Sequence, residues 1–173
     1  MTKNIAIVTG ASSGMGREFV LQIAAKYGKL DEIWAIARRE ELLWQLQGEA
    51  ALPVRILTMD LAQEESIKRL MALLATENPR IRILVNSAGC GRIGNFFGSS
   101  YEGVLSMINV NCKALTAVTY ACLPCPWAVG SLCWLPLQLL RPSRDSRCMQ
   151  PARRMCSAFP GHFGWNVWSR GSR

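Results

Sequence analysis

Only one acidic residue, Asp145, lies beyond residue 120, and no lysine follows Lys113. Residues 1–120 carry 13 basic and 11 acidic side chains, net +2, whereas residues 121–173 carry seven arginines and one acid, net +6. The overall charge of +8 therefore belongs mostly to the C-terminal third and says nothing about a substrate. Internal repeats are absent, which excludes a solenoid or array. No secretory leader precedes the first apolar run, so a cytoplasmic chain with seven reduced thiols is expected. Cys122 and Cys125 form a C-x-x-C, but Cys133, Cys148, Cys156 and His162 supply no second pair at zinc-ribbon spacing, and no metal site is expected. Residues 114–140 are an uncharged run of 27, long enough for a membrane helix, yet Pro124, Pro126 and Pro136 interrupt it. Arginines and tryptophans interleave from Arg141 to Arg173, but accidental basicity explains them better than a nucleic-acid surface. No membrane or nucleic-acid partner is expected.

What the chain does have begins at once. The apolar run Ile5-Ala6-Ile7-Val8 leads into Thr9-Gly10-Ala11-Ser12-Ser13-Gly14-Met15-Gly16, and a helical pattern follows. A strand passing through a glycine-rich turn into a helix suits a dinucleotide. Glycine lets the backbone turn tightly and approach the pyrophosphate, and the helix N-terminus offers unpaired N–H groups at a positive dipole end. Ser12 and Ser13 add hydroxyls nearby. Gly10, Ser12, Ser13, Gly14, Met15 and Gly16 are thus candidate cofactor-binding residues.

The spacing Thr-Gly-x-x-x-Gly-x-Gly resembles that of the short-chain dehydrogenase/reductase family, and the resemblance can be followed through Cys122. It implies an NAD(P)-dependent oxidoreductase, with reversible hydride transfer between carbonyl and alcohol. Residues 32–37 read as the second strand, and Arg38-Arg39 follow directly. Arg38 lies 22 residues past Gly16, about where an NAD-selective site carries an acid for the ribose 2′-hydroxyl. An arginine suits a 2′-phosphate, so NADP is expected in preference to NAD. At the end of a third strand, the resemblance implies that Asp60 and the Leu61 backbone meet the adenine. A capping role for Asp60 ahead of the next helix is equally compatible. The segment Asn86-Ser87-Ala88-Gly89 is similar to the family's Asn-Asn-Ala-Gly, which supports the central strand and passes the cofactor ribose. Asn111 matches the family asparagine that helps organise a proton-relay water, and is the candidate catalytic residue.

The expected fold is α/β, a Rossmann-type doubly wound parallel sheet. Strands are predicted at 4–9, 32–37, 54–58 and 81–86, and helices at 15–26, 40–47, 63–76 and 101–122. Right-handed crossovers give the order third, second, first, fourth. The unit is expected to span residues 1–123 and to be truncated, with residues 124–173 an irregular tail. The strand at 81–86 would then be an edge, the prolines would prevent replacement strands, and a family-type homo-oligomer is doubtful.

The family's proton donor is a tyrosine followed four residues later by a lysine, with a serine about a dozen residues upstream. None of Tyr27, Tyr101 and Tyr120 has such a lysine. A phenol with an ordinary pKa near ~10 needs that ammonium to titrate closer to working pH. The tail also holds six of eight prolines, five of seven cysteines and four of six tryptophans. Reading the third base of each codon with the first two of the next, residues 148–153 permit Tyr-Ala-Ala-Ser-Lys. The same offset permits Ser-Arg-Ala-Leu-Arg-Val-Glu through residues 159–166, and Met-Gly-Arg-Gly at 126–130. Sequence from about Pro124 onward is therefore read as out of frame. Two other classes stay open: a non-catalytic dinucleotide- or partner-binding protein, and a tail that is a membrane or zinc module.

Overall fold

The computed structural model describes residues 2–91 and 100–134. Strands β1 (Asn4–Thr9), β2 (Glu32–Ala37), β3 (Val54–Thr58), β4 (Arg80–Asn86) and β5 (Trp127–Trp134) form one parallel sheet in the order β3-β2-β1-β4-β5. Helices α1 (Gly14–Lys26), α2 (Glu40–Glu49), α3 (Glu64–Glu77), α4 (Tyr101–Ile108) and α5 (Leu115–Cys122) connect them.

Alternate residues of each strand feed two separate cores. Ile5, Ile7, Trp34, Ile36, Ile81 and Leu84 pack with Leu70 and Leu74 of α3 and Val118 and Ala121 of α5. Ala6, Val8, Ile33, Ala35, Ile83 and Val85 pack on the opposite side with Val20 and Ile23 of α1 and Leu43 and Leu46 of α2. Because both faces are covered, the strands need continuous apolar runs, which is how they read in the sequence. Burying one such Ile or Leu side chain stabilises the fold by about 1.5–3 kcal/mol.

The first three strands start and stop where expected, and the four-strand order 3-2-1-4 is observed. Two differences concern the C-terminal part. The single helix expected at 101–122 is interrupted by a π-helical turn, Asn109–Ala114, between α4 and α5. Beyond it, β5 lies beside β4, so β4 is interior instead of an edge, and the irregular tail does not begin at residue 124. The reason is local. Pro124 and Pro126 fall between α5 and β5, and Pro136 falls after it, so eight proline-free, uncharged residues remain available to pair. Pro126 even contributes, its carbonyl accepting from the Ile81 N–H at 2.9 Å. The ladder is irregular, however. Ile81 pairs with Trp127 and Ile83 with Leu132, so five steps of β5 span two of β4.

Among the described residues, no helix is long and apolar enough to cross a membrane, and no group of three His, Cys, Asp or Glu side chains could hold a metal. Cys122 and Cys125 are both buried, and burial pushes the Cys125 thiol above its ordinary pKa. Cys148, Cys156, His162 and the arginines from Arg141 onward lie outside the described residues.

Candidate functional site

A cleft of about 500 Å³ opens across the carboxyl ends of β1, β2, β3 and β4. In an open parallel sheet this is where a ligand binds, because the loops diverge to opposite faces on either side of the first strand. Its floor is the turn from β1 into α1. Gly10 has φ +68°, and a side chain there would press on Ala88 N, Ala88 Cα and Ser87 O at 2.8 Å. Its N–H donates to the Ile36 carbonyl at 2.8 Å, which ties the turn to the end of β2. Thr9 Oγ1 accepts from the Ala88 N–H at 3.0 Å and ties the same turn to the segment after β4. Three strand ends are thus locked together, by one backbone bond and the Thr9 hydroxyl, before any ligand enters.

The helix α1 opens at this floor, with Ser13 as its first cap and no acid in its first turn. Its positive end therefore faces the cleft undiminished. Gly16, one turn in, does not line the cleft. A Cβ on it would lie 2.3 Å from the Gly10 carbonyl oxygen, so the bare glycine lets α1 close against the turn.

Arg38 and Arg39 both line the cleft. Arg39 reaches back over the turn: its Nη2 donates to Ser12 Oγ at 3.0 Å and to Ser13 Oγ at 2.5 Å, and its Nε donates to Ser12 Oγ at 3.3 Å. Two cations and two hydroxyls therefore gather at one end, between β2 and α1. Asp60 and Leu61 line the wall after β3. Asp60 Oδ1 accepts from the Ala62 N–H at 3.1 Å, a local turn two residues long, while α3 begins with Gln63 as its cap. The capping role considered for Asp60 is thus a turn ahead of the helix.

Ser87, Ala88 and Gly89 line the opposite wall together with Cys90 and Gly91. Asn86 stands behind it. Its Nδ2 donates to Thr119 Oγ1 at 3.1 Å beneath α5, and its buried Oδ1 has no partner among the described residues. Asn111 does not line the cleft, and its amide clamps the loop beside it: Oδ1 accepts from the Cys90 N–H at 2.9 Å, and Nδ2 donates to the Cys90 carbonyl at 2.6 Å. This side chain positions the loop after β4, and its second N–H and second oxygen lone pair are still available to a water. Gly14, Met15 and Ser13 complete the floor.

Sequence reasoning missed the face that closes the cleft, formed by Gly103, Ser106 and Met107 of α4 and Val110 of the π-helical turn. Their spacing of 3, 4 and 7 is one helix face, a signal present in the sequence but indistinguishable there from ordinary core.

The comparisons with known proteins agree with this architecture. Residues 4–129 match the family described as short chain dehydrogenase. The chain is 32% identical over 124 residues to the oxidoreductase UcpA of Salmonella typhimurium, covering 72% of this chain and 47% of that protein. It is 31% identical over 120 residues to the probable short-chain type dehydrogenase/reductase VdlC of Helicobacter pylori, covering 69% and 42%. The chain thus spans about half the length of the curated relatives it matches. Among solved structures, it is similar to a short-chain dehydrogenase from Streptomyces avermitilis at 28% identity and TM-score 0.61, covering 70% of this chain and 44% of that one. A 3-oxoacyl-[acyl-carrier protein] reductase from Brucella melitensis superposes with TM-score 0.73 at 21% identity, covering 92% and 68%, and shares the fold. With the glycine turn, the strand order and the family match over residues 4–129 in accord, this chain belongs to the short-chain dehydrogenase family.

Proposed function

We propose that the described part of this chain holds NADP(H) and that the chain, as its sequence stands, does not turn it over. The observation that carries the cofactor choice is the Arg39–Ser12–Ser13 cluster with Arg38 beside it. The donors suit a 2′-phosphate, whose charge-assisted hydrogen bonds are about twice as strong as neutral ones. Gly10, Gly14 and the start of α1 would receive the pyrophosphate, because no side chain intervenes between it and the backbone. Asp60 and Leu61 would flank the adenine, and Ser87, Ala88 and Gly89 the adjoining ribose. Asn86, Gly16 and Asn111 would act from behind, by holding these walls in place. When bound, the nicotinamide supplies a hydride for a carbonyl carbon. Related solved structures include one in complex with NADPH and one in complex with NAD, so the choice rests on the residues of this chain.

The chemical half of the reading rests on the sequence. A carbonyl that accepts hydride must also receive a proton, and such general acid catalysis contributes roughly 10²–10⁴-fold. No tyrosine here has a lysine four residues on. The codon offset that permits Tyr-Ala-Ala-Ser-Lys at 148–153 also permits Ser-Ser at 135–137, twelve to thirteen codons upstream, where the family places its serine. The five-against-two mismatch along β4 and β5 fits the same idea, since parallel ladders seldom absorb more than one surplus residue. We therefore read residues from about 124 onward as out of frame, and the catalytic half as absent from the chain.

Calorimetric titration with NADPH and NADH, followed by NADPH-oxidation assays on aldehydes, ketones and quinones, tests both halves. Preferential NADPH binding without turnover is expected. Cofactor-dependent reduction by this chain alone would defeat the proposal. The nucleotide sequence across codons 123–127 would locate the missing or extra base.

A further inference from the structure

A second cleft of about 510 Å³ runs along the free edge of β3, walled by α2 on one side and α3 on the other. The backbone of β3 decides which groups it offers. The Pro53 carbonyl accepts from the Ile33 N–H at 2.9 Å and the Met59 N–H donates to the Ala37 carbonyl at 3.0 Å, so residues 53, 55, 57 and 59 face β2. In a parallel ladder the alternate residues Val54, Ile56 and Thr58 direct their N–H and C=O groups outward. The Gln47 side chain confirms this at one point, donating to the Val54 carbonyl at 2.6 Å. Ile56 and Thr58 carry no such side-chain cover among the described residues.

The two walls differ in chemistry. On the α2 side lie Val54, Ile56 and Trp44, whose ring is 56% exposed and whose indole N–H is held by Glu40 at 3.2 Å. On the α3 side lie Arg55 and Arg69. Arg55 is spoken for: it pairs with Glu77 at 2.6 Å and lies 4.9 Å from the centroid of the Trp34 ring. Arg69 is exposed and forms no ion pair among the described residues. Successive residues of an added strand alternate between these walls.

We propose that this edge receives an extended polypeptide segment in which apolar and acidic residues alternate, added as a sixth strand next to β3. Apolar side chains would lie against Trp44 and Ile56, and carboxylates against Arg69. Main-chain bonds to Ile56 and Thr58 would supply affinity, and the two walls would supply selectivity.

The test uses the full chain and fluorescein-labelled octapeptides, with binding read by fluorescence anisotropy. A peptide of alternating Val and Glu is expected to bind at least tenfold more tightly than one of alternating Val and Lys. Methylating every second backbone nitrogen of the Val-Glu peptide should abolish binding in one phase and spare it in the other, since only one set of amides can meet β3. Arg69→Glu should weaken the Val-Glu peptide at least fivefold while the thermal transition stays in place. If that variant fails to fold, the methylated peptides still decide. Equal loss in both methylation phases, a preference for the lysine peptide or no binding would overturn the proposal. So would concentration-dependent association in sedimentation that the peptide does not dissolve, which would assign the edge to a second copy of this chain.

Discussion

Arg39 and Arg38 are neighbours in sequence, but only Arg39 is fastened to the turn by hydrogen bonds to Ser12 and Ser13. A donor already held in place loses less freedom on meeting a phosphate, so Arg39 is expected to contribute more to selectivity than Arg38. Arg39→Ala should raise the NADPH Kd roughly ten- to a hundredfold, given about 1.5–3 kcal/mol for hydrogen bonds to a charged group. NADH affinity should change little, and calorimetry of both cofactors reads the ratio. Asn111→Leu tests the clamp on Cys90. Two part-buried backbone groups of Cys90 would lose their partners, at about 0.5–1.5 kcal/mol each. A lower Tm and a weakened affinity for both cofactors are expected, whereas a purely catalytic role would leave Tm unchanged. The cysteines offer a third check. Cys90 is exposed, while Cys125 is buried with its thiol pKa raised by desolvation, so at pH 8 it holds less thiolate. Iodoacetamide followed by peptide mapping should find Cys90 alkylated well before Cys125. At this scale the places of Gly10, Gly14 and Arg38 along the cleft were legible, because the order of strand, turn and helix fixes them, whereas the clamp by Asn111 was not. Its partner is a main-chain group 21 residues away, and no sequence pattern marks that.

Strands and helices were legible to the extent that burial imposed a period. β1 and β2 carry unbroken apolar runs that end at a glycine turn and an arginine pair, and β3 is apolar except at Arg55 and ends at an aspartate turn. The π-helical turn between α4 and α5 was not legible, because one additional residue per turn shifts the periodicity without changing composition. β5 was hidden for a different reason: proline density in the tail pointed away from strand, although the prolines bracket the eight residues that pair. The consequence is measurable in β4. With neighbours on both sides, its amides should exchange on the timescale of those in β1, and fast exchange along β4 alone would show that β5 does not cover it. Hydrogen exchange with peptide-level mass spectrometry distinguishes the two.

Across the whole molecule, the proposed function separates binding from chemistry along the sequence. The described cleft draws on residues from Gly10 to Val110, and the tyrosine–lysine pair that family chemistry requires is permitted only by the alternative frame beyond residue 147. Adding one base, or removing two, near codon 124 should therefore restore carbonyl reduction with NADPH if the gene continues. Coupled NADPH oxidation on the repaired and unrepaired proteins reads the difference. If the repaired protein stays inactive although it is folded and binds NADPH, the out-of-frame reading fails.

The sheet order has a consequence for synthesis on the ribosome. β1, β2 and β3 are adjacent both in sequence and in space, so a three-stranded sheet with α1 and α2 over one face can assemble once residue 58 has emerged. Its other face stays bare until α3 and then α5 arrive, and the inner side of β1 waits for β4. A nascent chain stalled when only residues 1–63 have emerged would thus present Ile5, Ile7, Trp34 and Ile36 to solvent, an apolar surface suited to a chaperone. A ligand of the cleft could not rescue such a chain, because the wall formed by Ser87, Ala88 and Gly89 would not yet exist.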